Sequence, residues 1–438
     1  MSFLLPDAVL DGVEVRRGSA VELEGDRIVS VQPSAGLPED AEVLRLPGRM
    51  LVAGLQNVHS HAFQRDIRGV VERVSHLAPE EDFWTWREAM YGAAMALDPD
   101  SIEDVARRVF AQMRAAGYTT VGEFHYVHHR PDGSWYENPN ALAEAVCRAA
   151  ETVGLRIVLL LTAYARGGAG LPPSGGQLRF SDPSLDAYLG RVDALRRWAA
   201  DRPLVSVGVA PHSVRAVPRE WLEGIGAYAG EHGLVLHVHA DEQPREIAES
   251  LAEHGLRPIE LIAAAGALTD RTTVIHATHV DASEIDLLAE AGATVGICPT
   301  TEGNLGDGYA PVRSFFESGV PLAVGSDSNT RIDPFEELRE LELIARRTAG
   351  RRNVLVPRDA DGPTGELLAA GQVSGARALG LEARRLAAGG PADLLAVDLE
   401  HPEIAGVADE HLAAALVFAG SSALVRETWV AGESAGGA

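Results

Sequence analysis

Lysine is absent from this chain of 438 residues, and all 38 of its basic side chains are arginine. That absence removes a lysine Schiff base, a phosphate-loop lysine and a carboxylated lysine bridging two metal ions from the available chemistry. Cysteine is nearly absent as well. Cys147 and Cys298 stand far apart with no secretory signature ahead of them, so they are expected as buried thiols rather than a disulfide. Long hydrophobic runs are lacking, since a stretch such as IVLLLTAY from Ile157 to Tyr164 falls far short of a bilayer. The opening MSFLLPDAVLDG is too short and acidic for a signal peptide, and a soluble cytoplasmic protein is expected. Positive charge is also scarce. Against 63 acidic residues the arginines leave a formal charge of -25, which argues against nucleic acid or an anionic membrane surface as a partner.

What is present is enough apolar material, 46% of residues, for a large core in a chain longer than one compact unit usually runs. One large domain with an accessory piece is therefore expected. Residues 1–49 carry short β-like pieces with Gly and Pro punctuation, the mark of a small sheet. From Met50, β-branched runs alternate with Ala- and Leu-rich stretches of helical period, which signals parallel strands joined by crossover helices. Eight candidate strands follow: MLVAGLQNVH, TTVGEFHY, RIVLLLTAY, LVSVGVAPH, LVLHVHA, TTVIHATH, TVGICPTT and PLAVGSDS. Eight such units make an α/β protein, a closed (β/α)8 TIM-like barrel over residues 50–385, whose function gathers at the C-terminal strand ends. Residues 386–438 return to short strands that can pair with the N-terminal ones into a small β-sandwich.

The polar oddities lie at those strand ends. His59 and His61 are one residue apart on strand one, so their imidazoles share a face and make half of a metal site. His239 ends strand five with Glu242 three residues on, a candidate ligand beside a proton-transferring carboxylate. His237, two residues deeper, reads as a packed histidine. Strand six offers His276 and His279, the earlier nearer the mouth if the strand stops before Thr278. Asp327 closes strand eight, where a helix N-cap is its bland role. Strand four ends in Ala210, Pro211 and His212, with neither lysine nor carboxylate to bridge a second ion, and this favours a single-metal site.

Taken together the set resembles the amidohydrolase superfamily of metal-dependent hydrolases, in its single-metal deaminase branch. The resemblance implies one divalent ion on His59, His61, His239 and Asp327, zinc first, with iron and manganese also suited to His/Asp ligands. It assigns proton transfers to Glu242, His276 and Asp327. The segments HSHAFQR, FWTWREAMY, GYTTVGEFHYVHH, APHSVRAVP, CPTTEGNLGDG and GSDS, in this order, resemble the deiminases that hydrolyse N-formimidoyl-L-glutamate to N-formyl-L-glutamate and ammonia. A dicarboxylate of that kind needs fixed cations, and arginine grips carboxylates in bidentate fashion. Arg87 and Arg215 are the candidates, with Gln64, Tyr126 and His212 as further substrate contacts. The same resemblance implies a homodimer. Asp241 and Asn329 depart from the pattern, though neither is a proposed ligand. A sister deaminase for a nucleobase, nucleoside or guanidino acid would share the metal set, and a silent barrel serving as a binding protein should have lost a ligand or Glu242.

Overall fold

The computed structural model describes residues 2–70, 72 and 83–434. Eight parallel strands follow one another around the barrel: β1 (Leu55–Ser60), β2 (Tyr118–His125), β3 (Arg156–Ala163), β4 (Val205–Pro211), β5 (Leu236–Ala240), β6 (Thr272–His276), β7 (Thr294–Ile297) and β8 (Leu322–Val324). All eight residues of β2 and seven of the eight in β3 are buried. Such strands are covered on both faces, which is why they read as unbroken apolar runs rather than alternating ones. Helices between the strands supply the outer cover. The helix Pro99–Ala115, for example, starts on an Asp98/Ser101 capping box and turns Ile102, Val105, Val109, Phe110 and Met113 inward at helical spacing.

The barrel does not close by a regular ladder between β8 and β1. Instead the Asp327 amide donates to the His59 carbonyl and the His61 amide to the Asp327 carbonyl, both at 2.9 Å. Beneath them the buried Asn57 side chain donates to Ser326 Oγ at 2.6 Å and accepts from the Ser326 amide at 3.0 Å. Gly325 lies against His59 so closely that a Cβ there would sit 2.8 Å from the His59 carbonyl oxygen. Only glycine allows that approach, and it brings two of the expected ligand strands together.

The accessory domain is one mixed sheet drawn from both ends of the chain. Val43–Ala53 lies at its centre, parallel to Ser2–Asp11 and antiparallel to Leu394–Asp398. Side-chain alternation gives this sheet two jobs. Ala8, Leu10, Met50, Val52, Leu395 and Val397 join the barrel core, whereas Val9, Leu51, Ala53, Leu394, Ala396 and Trp429 form a second cluster. Each large side chain so buried is worth roughly 1.5–3 kcal/mol. The C-terminal segment also contributes a helix, Asp409–Phe418.

One boundary differs from expectation. The run MLVAGLQNVH is two strands, because Val43–Ala53 belongs to the small sheet and β1 starts only at Leu55. Its apolar pattern is continuous through Gly54, so periodicity could not show the break. Gly54 is where the chain passes from sheet to barrel, and a Cβ there would lie 2.4 Å from Thr119. Among the described residues no helix is long and apolar enough to cross a membrane.

Candidate metal and substrate site

His59, His61, His239 and Asp327 converge at the C-terminal mouth of the barrel. His59 Nε2 is 3.1 Å from His239 Nε2, and Asp327 Oδ1 is 3.6 Å from His59 Nε2 and 3.4 Å from His61 Nε2. Four donors about 2.0–2.2 Å from a zinc ion at tetrahedral corners lie about 3.3–3.6 Å apart, and these three separations, with His59, His61 and His239 mutually within 4.8 Å, are compatible with a single divalent ion of that size. The outer ring nitrogens are already engaged. His61 Nδ1 donates to the Phe124 carbonyl and His239 Nδ1 to the His212 carbonyl, each at 2.8 Å, which leaves the Nε2 lone pairs facing inward. His59 Nδ1 is buried without a hydrogen-bond partner among the described residues.

Charge points the same way. Burial pushes His61 down to about 3 and holds His59 and His239 well below the ordinary imidazole range, with neighbouring imidazoles adding to the shift. These rings are therefore neutral at physiological pH, as metal ligands must be. Asp327 is raised to about 7, first by burial, against which His276 pulls it down while Glu242 and Glu302 push it further up. A cluster of buried carboxylates around neutral imidazoles is short of positive charge. A divalent cation would supply it.

His276 ends β6 in a left-handed conformation, φ 72°, and Asp327 follows β8 with φ 45°. Non-glycine residues hold such angles at a cost of about 1–3 kcal/mol, and the surrounding packing must compensate. The turn aims His276 at the site, with Nε2 3.6 Å from Glu242 Oε1 and 3.8 Å from Asp327 Oδ2. Its other nitrogen faces Glu302 Oε1 at 3.2 Å, an oxygen that also accepts the Cys298 amide at 2.9 Å. Burial alone would lower His276, but Glu242, Glu302 and Asp327 outweigh it and raise the imidazole to about 10. His279 stays outside, its ring beside Gly308 and its carbonyl accepting from Arg257. His237 lies deeper and bonds the Ala378 carbonyl at 2.8 Å, so it is a packing histidine.

A cavity of about 250 Å³ opens above this cluster, and Gln64, Arg87, Tyr126, His212 and Arg215 all line it. Gln64 donates to the Tyr126 hydroxyl at 2.7 Å, which leaves the buried Gln64 carbonyl oxygen without a hydrogen-bond partner among the described residues. Arg87 stands on the helix Phe83–Met95, its guanidinium carbon 5.5 Å from the Tyr91 ring centroid. That helix also brings Trp86, Met90 and Tyr91 to the cavity wall. Of FWTWREAMY, the side chains of residues 83–85 lie outside the described residues. Arg215 bridges two acids, with Nη2 3.4 Å from Glu242 Oε2 and Nε 3.2 Å from Glu246 Oε1.

The two departures from the expected pattern are absent from the cavity wall. Asp241 is buried, and its carboxylate meets Arg257 at 3.3 Å. Asn329 ties the seam, donating to Ser60 Oγ at 3.1 Å and accepting from Ser326 Oγ at 2.7 Å. Three buried acids escaped the sequence reading. Glu302 braces His276, Glu246 braces Arg215, and Glu123 accepts the Ala62 amide at 2.6 Å just past the HxH pair. Burial raises Glu123 to about 8. Glu246 stands in the first turn of the helix Pro244–His254, four residues after Glu242, and its oxygen accepts the Glu242 amide at 3.4 Å.

Comparison with known proteins agrees with this fold. The model of the amidohydrolase family matches residues 50–435. The formimidoylglutamate deiminase of Pseudomonas aeruginosa is 38% identical over 418 residues, which cover 95% of this chain and 90% of that protein. The 5-methylthioadenosine/S-adenosylhomocysteine deaminase of Teredinibacter turnerae is 29% identical over 99% of this chain and 90% of its own length. A crystal structure of an adenosine deaminase from Xanthomonas campestris with bound zinc superimposes with a TM-score of 0.83 at 25% identity, covering 99% of this chain and 92% of the other. With a family match over most of its length and a mouth-of-barrel histidine cluster to go with it, this chain belongs to the amidohydrolase family.

Proposed function

We propose that this chain is a deiminase of N-formimidoyl-L-glutamate, releasing ammonia and leaving N-formyl-L-glutamate. The observation that carries this reading is the presence of arginines in the same cavity as the His/Asp cluster: Arg87 and Arg215 as the carboxylate holders, with Arg245, paired with Glu249 at 2.7 Å, also on the wall. Amidohydrolases that act on uncharged bases need no such cations, whereas two carboxylates do. The 38% identity to a formimidoylglutamate deiminase supports it, and the more distant nucleoside deaminases supply the rival.

One divalent ion, zinc in the first instance, would sit on His59, His61, His239 and Asp327. Bound there it supplies Lewis acidity and brings the pKa of water toward neutrality. The protein groups do the rest. Arg87 and Arg215 hold the carboxylates, while Gln64 and Tyr126 fix the chain between them by hydrogen bonds. Water oxygen bonds to the formimidoyl carbon, the bond from that carbon to the terminal nitrogen breaks, and the two water protons end on the departing ammonia. Glu242 and Asp327 carry those protons. His276, backed by Glu302 at 3.2 Å, hydrogen-bonds the charge that develops at the carbon centre.

Purified protein assayed for ammonia release with N-formimidoyl-L-glutamate, guanidino acids, guanine, adenosine and 5-methylthioadenosine decides the matter. The formimidoyl dicarboxylate should give the highest kcat/KM, together with about one metal ion per chain. Preference for a nucleoside would refute the substrate reading, and a metal-free, inert protein would refute the enzyme reading.

A further inference from the structure

The guanidinium assigned to a substrate carboxylate is shared with the acid assigned to proton transfer. Arg215 Nη2 lies 3.4 Å from Glu242 Oε2, on the same carboxylate whose other oxygen is 3.6 Å from His276 Nε2. Its Nε edge is committed to Glu246, at 3.2 Å. Glu246 is fully buried, and its second oxygen accepts the Glu242 amide at 3.4 Å. Arginine, Glu242 and Glu246 thus form a three-membered bracket, anchored on the buried side and open on the cavity side, where Arg215 and Glu242 line the wall.

The Arg215–Glu242 contact, at 3.4 Å, is longer than that to Glu246 and long for a charge-assisted hydrogen bond, which runs at about 2.7–2.9 Å. Glu242 is therefore held loosely. A well-placed substrate carboxylate can take over Nη2 in better geometry, while Glu246 keeps the guanidinium in position. We propose that Arg215 works by exchange: it restrains Glu242 until a substrate carboxylate displaces it, and only then is Glu242 released toward the reacting nitrogen. This rests on the dicarboxylate reading above and adds to it a way of rejecting shorter acids. A substrate that lacks the relevant carboxylate binds with Glu242 still held, and loses kcat as well as affinity.

The test compares N-formimidoyl-L-glutamate with two analogues, N-formimidoyl-4-aminobutyrate and N-formimidoyl-2-aminobutyrate, each missing one carboxylate. Acetate is then titrated into each assay of the intact wild-type holoenzyme. For one analogue kcat should fall by a factor on the order of 10 or more, and acetate should restore it several-fold by occupying Arg215 in place of the missing group. In Arg215→Met the kcat difference between that analogue and the full substrate should shrink, and acetate should no longer act. Losses confined to KM for both analogues, or a wild-type kcat unmoved by acetate, would overturn the exchange; the acetate arm needs no variant and so does not depend on Arg215→Met folding. Absence of turnover with N-formimidoyl-L-glutamate itself is a separate result, which overturns the substrate reading and the exchange with it.

Discussion

Glu302→Gln removes one negative charge from behind His276 and leaves the side-chain volume nearly unchanged. Glu302 is 1% exposed, and one oxygen serves both His276 Nδ1 at 3.2 Å and the Cys298 amide at 2.9 Å. A hydrogen bond to a charged group is worth about 1.5–3 kcal/mol against about 0.5–1.5 for a neutral one, a difference of about 1–2 kcal/mol. If that difference is felt at the transition state, kcat falls about 5- to 30-fold. KM and metal content should stay near the wild-type values, because Glu302 neither lines the cavity nor belongs to the ligand set. The amide nitrogen would replace an oxygen that is buried without a hydrogen-bond partner among the described residues, so some stability is lost too. The sign of the pH effect is fixed. Burial lowers His276 and the three carboxylates raise it to about 10, so losing one of them moves the imidazole down. An alkaline limb in kcat should shift to lower pH, followed by ammonia release across the neutral-to-alkaline range. A variant with kcat within twofold of wild type and an unmoved limb would refute the bracing role of Glu302.

Glu242→Ala should keep its metal and lose turnover by a factor on the order of 10² or more, and near-normal activity would remove Glu242 from the proton transfers. Gly325→Ala places a methyl 2.8 Å from the His59 carbonyl oxygen and 2.9 Å from its amide, so the seam must shift. Its cost is about 1–3 kcal/mol in denaturant unfolding, with reduced metal content, and a fully metallated variant of wild-type stability would count against the close approach. Removing metal with a chelator should lower Tm, since a ligand at 1,000 times its Kd stabilises the native state by about 4.1 kcal/mol. An unchanged Tm would argue that no ion is held by this cluster.

The convergence of His59, His61, His239 and Asp327 was legible because strand geometry is legible. Alternation put His59 beside His61, and the end of an apolar run marked His239 and Asp327 as mouth residues. The eight barrel strands were readable for the same reason, except where a continuous apolar run hid two strands joined at Gly54. The bracing acids were not readable. Glu302 is a single carboxylate in a short polar stretch and Glu123 one inside a buried strand, and their meaning comes from a histidine or an amide elsewhere in the fold. Arg215 was readable as a cation near the mouth, but its division between Glu242 and Glu246 depends on how one helix meets β4. Asp241 and Asn329 sit at left-handed residues, and position along the chain says nothing of which way a side chain turns there, so their place away from the cavity wall was not readable.

The discontinuity between β8 and β1 gives an ion there a mechanical role. Asn57 and Ser326 are 269 positions apart and meet across a seam with few backbone bonds. An ion gripping His59 on one lip and Asp327 on the other would act as a removable clasp on the longest loop of the barrel, restricting the open chain as a cross-link does. Hydrogen exchange in the amides of residues 57–61 and 325–329 should then quicken on demetallation more than anywhere else in the barrel, so that breathing of the cylinder and occupancy of its centre become one equilibrium.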